Sequence, residues 1–116
     1  MAQLDIARAE AALGGATAFL LDELDRSWST VLAGDAVPVV QRGRVRLACW
    51  HAAAEATRAV DLAYRLGGGS SVFTSHPLQR CFRDIHTANQ HIYFSTDTGR
   101  RCITYRRDEQ APNFLI

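Results

Sequence analysis

The stretch HPLQRCFRDIHTANQH, from His76 to His91, holds the densest set of side chains that could do chemistry. It contains three histidines, two arginines and one aspartate within sixteen residues. Histidine exchanges protons near neutral pH and is also a common metal ligand. The stretch could therefore be a catalytic helix, a metal site or a helix with a polar outer surface.

A helical wheel separates these possibilities. Six apolar residues cluster within about 120° of arc and predict a core face, namely Leu78, Cys81, Phe82, Ile85, Ala88 and Ile92. His91 falls on the opposite side with Asp84, and His86 falls on a third flank. Cys81, His86 and His91 turn by about 140° from one to the next, so they cannot converge on one ion. Neither His-x-x-x-His nor Cys-x-x-Cys occurs in the chain, and no metal site is expected.

His91 is the catalytic candidate that remains. With Asp84 two turns earlier, it could act as a general base near neutral pH. The alternative is an ordinary solvated residue, since most polar helix faces are only solvated. A nucleophilic site is poorly supported, because nothing assembles a base and an oxyanion hole around the adjacent Ser75 and His76.

The glycine-rich segment that precedes His76 has two interpretations. Gly67, Gly68 and Gly69, followed by Ser70 and Ser71, could cradle an anion at the start of a helix. The segment matches neither G-x-G-x-x-G nor the Walker pattern, and no strand precedes it. A helix C-cap and turn is therefore the simpler interpretation.

Periodicity predicts an all-α domain covering residues 1–116, with three main helices at about 3–32, 39–66 and 76–94 and an irregular C-terminal tail. Gly34 and Pro38 mark the first break, and Thr74 or Ser75 is the expected N-cap of the third helix. Helices this long are typical of up-and-down bundles, and three of them form an incomplete four-helix bundle. The first helix carries an apolar stripe made of Leu4, Ala7, Ala11, Ala18, Leu21, Leu24, Trp28 and Val31.

Composition narrows the class of protein. The 116 residues are 47% hydrophobic and 22% charged, with net charge +1, which is typical of one folded domain. All basic side chains are arginines, and Arg42, Arg44 and Arg46 scatter around a helix, so nucleic-acid binding is not expected. Three cysteines, an odd number, favour a reducing compartment. No apolar run approaches the ~20 residues of a membrane span, so we expect a cytoplasmic location.

One segment of the sequence resembles a known protein family, namely LGGGSSVFTSHPLQRCFRDIHTANQH, from Leu66 to His91. This segment closely resembles the C-terminal helical domain of acyl-CoA-dehydrogenase-like flavin-dependent monooxygenases, the oxygenase components of aromatic hydroxylases. That family has a glycine–serine loop and a PLQR-x-x-RD motif closed by a histidine. The segments ARAEAALGGATAFLLDELDRSW and AVDLAYRL resemble the two preceding bundle helices, so the likeness spans nearly the whole chain.

The resemblance implies roles for particular residues. His91 would lie near the flavin ring as a general base or hydrogen-bond partner in oxygen transfer. Arg83 and Asp84 would carry a structural motif. Family members hydroxylate aromatic substrates with reduced FMN or FAD supplied by a separate reductase. The cofactor-binding loop would comprise Gly68, Gly69, Ser70 and Ser71.

The family pattern also contains an N-terminal helical domain and a central β-domain, and this chain aligns from the second bundle helix onward. We therefore expect it to be inactive alone and not to hold flavin tightly. Its expected partners are further copies joined through the bundle helices, or oxygenase domains on another chain, together with a flavin reductase. The alternative hypothesis is a stand-alone helical interaction module that has lost catalysis, which leaves open whether the chain is an enzyme.

Overall fold

The computed structural model describes residues 2–69, 76–91, 95, 98–100 and 102. Within these residues, three helices follow one another: α1 (Ala2–Leu32), α2 (Val39–Leu66) and α3 (Pro77–Ala88). The predicted all-α class is confirmed, and no strand occurs in the described part of the chain. None of the described helices has the length and hydropathy needed to cross a membrane.

The turn between α1 and α2 is built by glycine and proline. Gly34 adopts a positive φ of 83°, which glycine reaches without the steric cost of a Cβ atom. The Asp35 amide donates to the Thr30 carbonyl at 3.2 Å and closes the turn. Pro38 then precedes α2 in an extended conformation, with φ −61° and ψ 155°. The predicted break is confirmed, and it folds α2 back along α1.

Paired side chains show that α1 and α2 run antiparallel. Near the turn, the Thr30 hydroxyl donates to the Gln41 side-chain oxygen at 3.1 Å. Farther from the turn, Arg44 Nε donates to Glu23 Oε1 at 2.6 Å. The residue number on α1 falls as the number on α2 rises, so the two helices form a long hairpin.

The interface between these helices is made of small and polar residues. Ala16 on α1 is 2% exposed and Ala48 on α2 is 0% exposed. Two carboxylates, Glu23 and Glu55, are also buried. Alanine lets helix axes approach closely, but it buries little apolar area per residue.

The apolar stripe predicted for α1 faces away from α2. Its largest members are well exposed, with Leu21 at 60% and Trp28 at 61%. The side of α1 that contacts α2 includes Ala16 and Glu23 and lies about a third of a turn or more from those two exposed residues. The stripe therefore belongs to a surface of the hairpin and not to its interface.

The third helix begins later than predicted. His76 is the N-cap of α3, and its Nδ1 accepts a hydrogen bond from the Leu78 amide at 3.2 Å. Pro77 occupies the first turn, where its missing N–H costs nothing. The cap predicted at Thr74 or Ser75 was therefore placed too early, and those two residues lie outside the described part.

The predicted core face of α3 is only partly correct. Leu78, Phe82 and Ile85 are half-buried, but Cys81 and Ala88 are exposed. The reason is that α3 packs on α2 alone among the long helices, so it buries a narrower and rotated strip. Ile92 lies outside the described residues.

The predicted irregular tail contains helical residues at Thr98, Gly99, Arg100 and Cys102. Ser95 Oγ accepts from the Thr98 amide at 3.3 Å, which is the contact of an N-cap serine with its helix. Gly99 lies so close to Trp50 of α2 that an added Cβ would stand 2.7 Å from the indole ring. This segment therefore packs on α2 next to α3, and α2 is the central helix.

Candidate functional site

His91 lies just beyond the end of α3. Its amide donates to the Ala88 carbonyl at 3.1 Å, and the residue is exposed. The sequence predicted a helix through residue 94, whereas α3 ends at Ala88. Because His91 is outside the helix, the wheel that paired it with Asp84 no longer applies.

A tertiary contact is made where α3 ends. Asn89 is the C-cap residue of α3, and its amide donates to the Ile85 carbonyl at 3.0 Å. The Asn89 side-chain nitrogen donates to the hydroxyl of Thr57 on α2. The end of α3, and with it His91, is thereby tied to the middle of α2.

The described part of the glycine loop forms the end of α2. Gly67 is the C-cap, and its amide donates to the Ala63 carbonyl at 2.9 Å. Gly68 has a positive φ of 66°, and Gly69 is exposed. The interpretation as a helix C-cap and turn is confirmed for these residues. Ser70 and Ser71 lie outside the described residues.

An open groove of about 680 Å³ borders this loop, between α1 and the last turns of α2. Ile6 and Leu13 line it from α1, Leu62 and Leu66 line it from α2, and Leu78 of α3 closes one end. Glu10 is the charged residue in the wall. Such a surface suits an apolar ring and does not fit the phosphate of a flavin, which needs cationic or N–H donors.

The loop and His91 stand at opposite ends of α3. Leu78, at its start, shares a groove with Gly67, whereas Asn89, at its end, contacts Thr57. Helical rise puts these ends about 16 Å apart. The predicted catalytic and cofactor-binding residues are thus not brought together by the described part of the chain.

The structure reveals a cluster that sequence reasoning missed. His86 Nε2 lies 2.7 Å from Asp61 Oδ1 on α2. The His86 ring packs on Phe82, and Phe82 packs on Tyr64, with centroids 4.4 Å apart in each pair. The helical wheel placed His86 on a flank, and the partners on a different helix gave no signal in local spacing.

A second groove, of about 480 Å³, is walled by charges of both signs. Three acids and three arginines line it, namely Asp5, Glu55, Asp61, Arg8, Arg58 and Arg65. Within it Arg58 pairs with the buried Glu55, and His51 lies 4.0 Å from the same carboxylate. No group of three residues suited to a metal ion occurs among the described residues. The balance of charges favours neither an anion nor a cation.

Comparison with known protein families shows which family this chain belongs to. Residues 1–96 match the family described as acyl-CoA dehydrogenase, C-terminal domain. The chain belongs to this family. The resemblance inferred from the motif ending in His91 is therefore confirmed.

Individual relatives within the family are oxygenases by name. The chain is 40% identical over 98 residues to an indole-3-acetate monooxygenase of Pseudomonas putida, covering 84% of this chain and 25% of that protein. It is 37% identical over 110 residues to a pigment production hydroxylase of Rhodococcus erythropolis, covering 92% and 28%. The chain thus spans only about a quarter of the length of these curated relatives.

A solved structure supports the fold. The 3-HSA hydroxylase from Rhodococcus sp. RHA1 superposes with a TM-score of 0.84 at 22% identity. The match covers 99% of this chain and 31% of the hydroxylase chain. The helical arrangement of this chain therefore also occurs within that hydroxylase.

Proposed function

We propose that the chain is the C-terminal helical part of a flavin-dependent oxygenase that hydroxylates an aromatic substrate. The observation that carries the proposal is the 40% identity to an indole-3-acetate monooxygenase over 84% of this chain. In this proposal the chain acts in the cytoplasm, and a separate reductase supplies reduced FMN or FAD.

His91 is the proposed general base or hydrogen-bond partner. It is exposed at the end of α3, where a reacting group could approach it, and imidazole is well suited to proton transfer near neutral pH. The loop of Gly68, Gly69, Ser70 and Ser71 is the proposed cofactor-facing segment. Since the groove beside this loop does not fit a flavin phosphate, other domains would supply the phosphate contacts, and the chain alone would not bind flavin tightly.

A chimera tests this proposal. The C-terminal quarter of the Pseudomonas putida monooxygenase would be replaced by this chain, and substrate oxidation would be measured with reduced flavin. We expect the chimera to be active and His91→Ala to lower kcat by about 10²–10⁴-fold, the usual contribution of a positioned acid or base.

His51→Ala is the matched control, because His51 is half-exposed on α2 and its partner Glu55, at 4.0 Å, lies on α2 itself. Its rate should stay near that of the unmodified chimera. A folded chimera in which His91→Ala leaves kcat unchanged would return His91 to the role of a solvated residue. A folded chimera without any activity would contradict the oxygenase proposal itself.

The second candidate function is a helical interaction module without catalysis. The exposed apolar stripe of α1 favours it, because such a surface gains from being covered. Both candidates include association with further copies or with other oxygenase domains through the bundle helices. The activity assay alongside light scattering on the chimera separates them, since the module would associate without restoring substrate oxidation.

A further inference from the structure

Three contacts join α2 and α3 like rungs of a ladder. Tyr64 packs on Phe82, Asp61 pairs with His86, and Thr57 accepts from Asn89. The α3 members are spaced by four and three residues, and the α2 members by three and four in the opposite direction. Each helix therefore presents one continuous strip to the other.

The ladder ends next to His91. Its last rung, Thr57 with Asn89, involves the C-cap of α3, and the His91 amide still bonds back to the Ala88 carbonyl at 3.1 Å. The turn that carries His91 is thus continuous with the ladder. A change in how α3 lies on α2 would be passed directly to this histidine.

Asp61 and His86 form the central and most directional rung. A carboxylate only accepts, so the His86 ring donates from Nε2 across 2.7 Å, which fixes its tautomer and orientation. Packing against Phe82 holds the same ring from the side. The side chains of His86 and Asp61 are 42% and 39% exposed, so solvent screens the pair and its contribution to stability is small. The pair therefore contributes more to the position and orientation of the His86 ring than to the free energy of unfolding.

We infer that Asp61 and His86 are positioning residues that set where His91 lies at the end of α3. The value of this placement for catalysis rests on the proposed function, but the placement itself does not. A pair serving stability alone would leave His91 in place when the pair is weakened but the helices persist.

Histidine side-chain NMR on the full chain tests the inference. The chain has only four histidines, so each ring can be assigned by single substitutions. In Asp61→Leu the acceptor is lost, and we expect displaced or broadened ring signals for both His86 and His91. In Asp61→Asn the side-chain oxygen still accepts from Nε2, and we expect the His91 signal to return to its original position.

Asp84→Leu is the matched control, because it makes the same substitution on α3 itself, closer to His91 in sequence. Asp84 is 69% exposed and pairs only loosely with Arg80, at 3.6 Å, so its loss should leave the His91 signal unmoved. Far-UV circular dichroism checks that each variant keeps its helices.

An unmoved His91 signal in helical Asp61→Leu would overturn the inference. The same comparison is made at His86, where His86→Gln keeps a donor and His86→Leu does not. The inference is therefore still tested if one variant loses its helices. The chimera separates the two proposals. His91 displaced by Asp61→Leu while His91→Ala leaves kcat unchanged would keep the positioning role and refute the catalytic one.

Discussion

Glu23 shows how a single residue can define the α1–α2 pairing. Among the described residues it is the largest side chain that is fully buried, although it carries a carboxylate. Oε1 accepts from Arg44, whose guanidinium also lies 5.3 Å from the centre of the Phe19 ring. Within the described part of the chain, Oε2 has no hydrogen-bond partner. A buried ion pair of this kind adds less to stability than to the choice of register, because any other register would leave the charge unpaired.

Replacing Glu23 by alanine tests the worth of this pair. We expect Glu23→Ala to lower the free energy of unfolding by about 1–3 kcal/mol, through the lost charge-assisted bond and the cavity. The cost stays below that of a fully buried pair, because Arg44 is 35% exposed and can be hydrated. Urea unfolding gives the value. Asp22→Ala, which breaks the exposed pair with Arg26, should cost under about 0.5 kcal/mol, and equal losses in both variants would contradict this account.

We expect the buried thiol of Cys102 to make stability depend on pH. Burial raises the pKa of its thiol above the ordinary value of 9.0, while the charge of Arg46 acts in the opposite direction. The folded state then holds the thiol proton more tightly than the unfolded chain, so this stabilisation is complete below pH 9 and is lost as pH rises through the folded pKa. We expect the urea midpoint to fall as pH rises above 9, and to fall less in Cys102→Ala. The same decline in Cys102→Ala would show that another group causes it; Cys81→Ala, at an exposed thiol, serves as reference.

At the scale of elements, the first two helices could be predicted closely and the third could not. The predicted ranges 3–32 and 39–66 agree with Ala2–Leu32 and Val39–Leu66 because Gly34, Pro38 and Gly67 are local signals. Where α3 ends, Asn89 contacts Thr57, and these residues are far apart in sequence. Local periodicity contains no record of such a contact.

The same limit applies to the candidate site. The motif resemblance singled out His91 and the glycine loop, but it could not show that they stand at opposite ends of α3. The apolar stripe of α1 was recognised as a stripe, while its outward direction followed from the pairing of Ala16 and Glu23 with α2. Asp61 and His86 were missed because each looks like an ordinary polar helix residue on its own.

Two glycines in different helices are expected to respond in opposite ways to alanine. At Gly99 the new Cβ would stand 2.7 Å from the Trp50 ring, so Gly99→Ala should destabilise by about 1–3 kcal/mol through overpacking. At Gly15, in the middle of α1, no atom lies within 4 Å of the added Cβ, so Gly15→Ala should stabilise by about 0.5–1 kcal/mol. Thermal unfolding compares them. A stabilised Gly99→Ala would mean that the C-terminal helical residues do not pack on Trp50 in solution.

At the scale of the whole molecule, the main feature is the exposed apolar surface on the outer side of α1. Leu21, Leu24, Trp28, Val31 and Leu32 are all exposed along one side of its second half. The family match shows that these helices belong to an acyl-CoA dehydrogenase C-terminal domain. A bundle helix with this much exposed apolar surface is stabilised when another helix covers it. Association through α1 is therefore the behaviour that we expect of the chain on its own.

Trp28→Glu is the corresponding test. We expect the unmodified chain to associate with itself, and the variant to raise the dissociation constant about tenfold or more, since burying a tryptophan contributes about 1.5–3 kcal/mol. Light scattering over a range of concentrations measures the change. Ser29→Glu places the same charge at an exposed position on the flank of α1 that carries Asp22 and Arg26, and it should have little effect. A chain that stays monomeric at every concentration would contradict the expectation.

The contact between Gly43 and Cys102, where the added Cβ would stand 3.6 Å from the Cys102 carbonyl oxygen, has a consequence for the order of folding. Thr30 and Gln41 are only 11 residues apart, and closing such a loop costs about 2 kcal/mol of chain entropy. Joining Gly43 to Cys102 from the unfolded chain closes a loop of roughly 60 residues and costs about 1.5 kcal/mol more. Entropy therefore favours folding of the α1–α2 hairpin first. On this basis we expect the C-terminal helical residues to dock after the hairpin, onto a surface of α2 that has already formed.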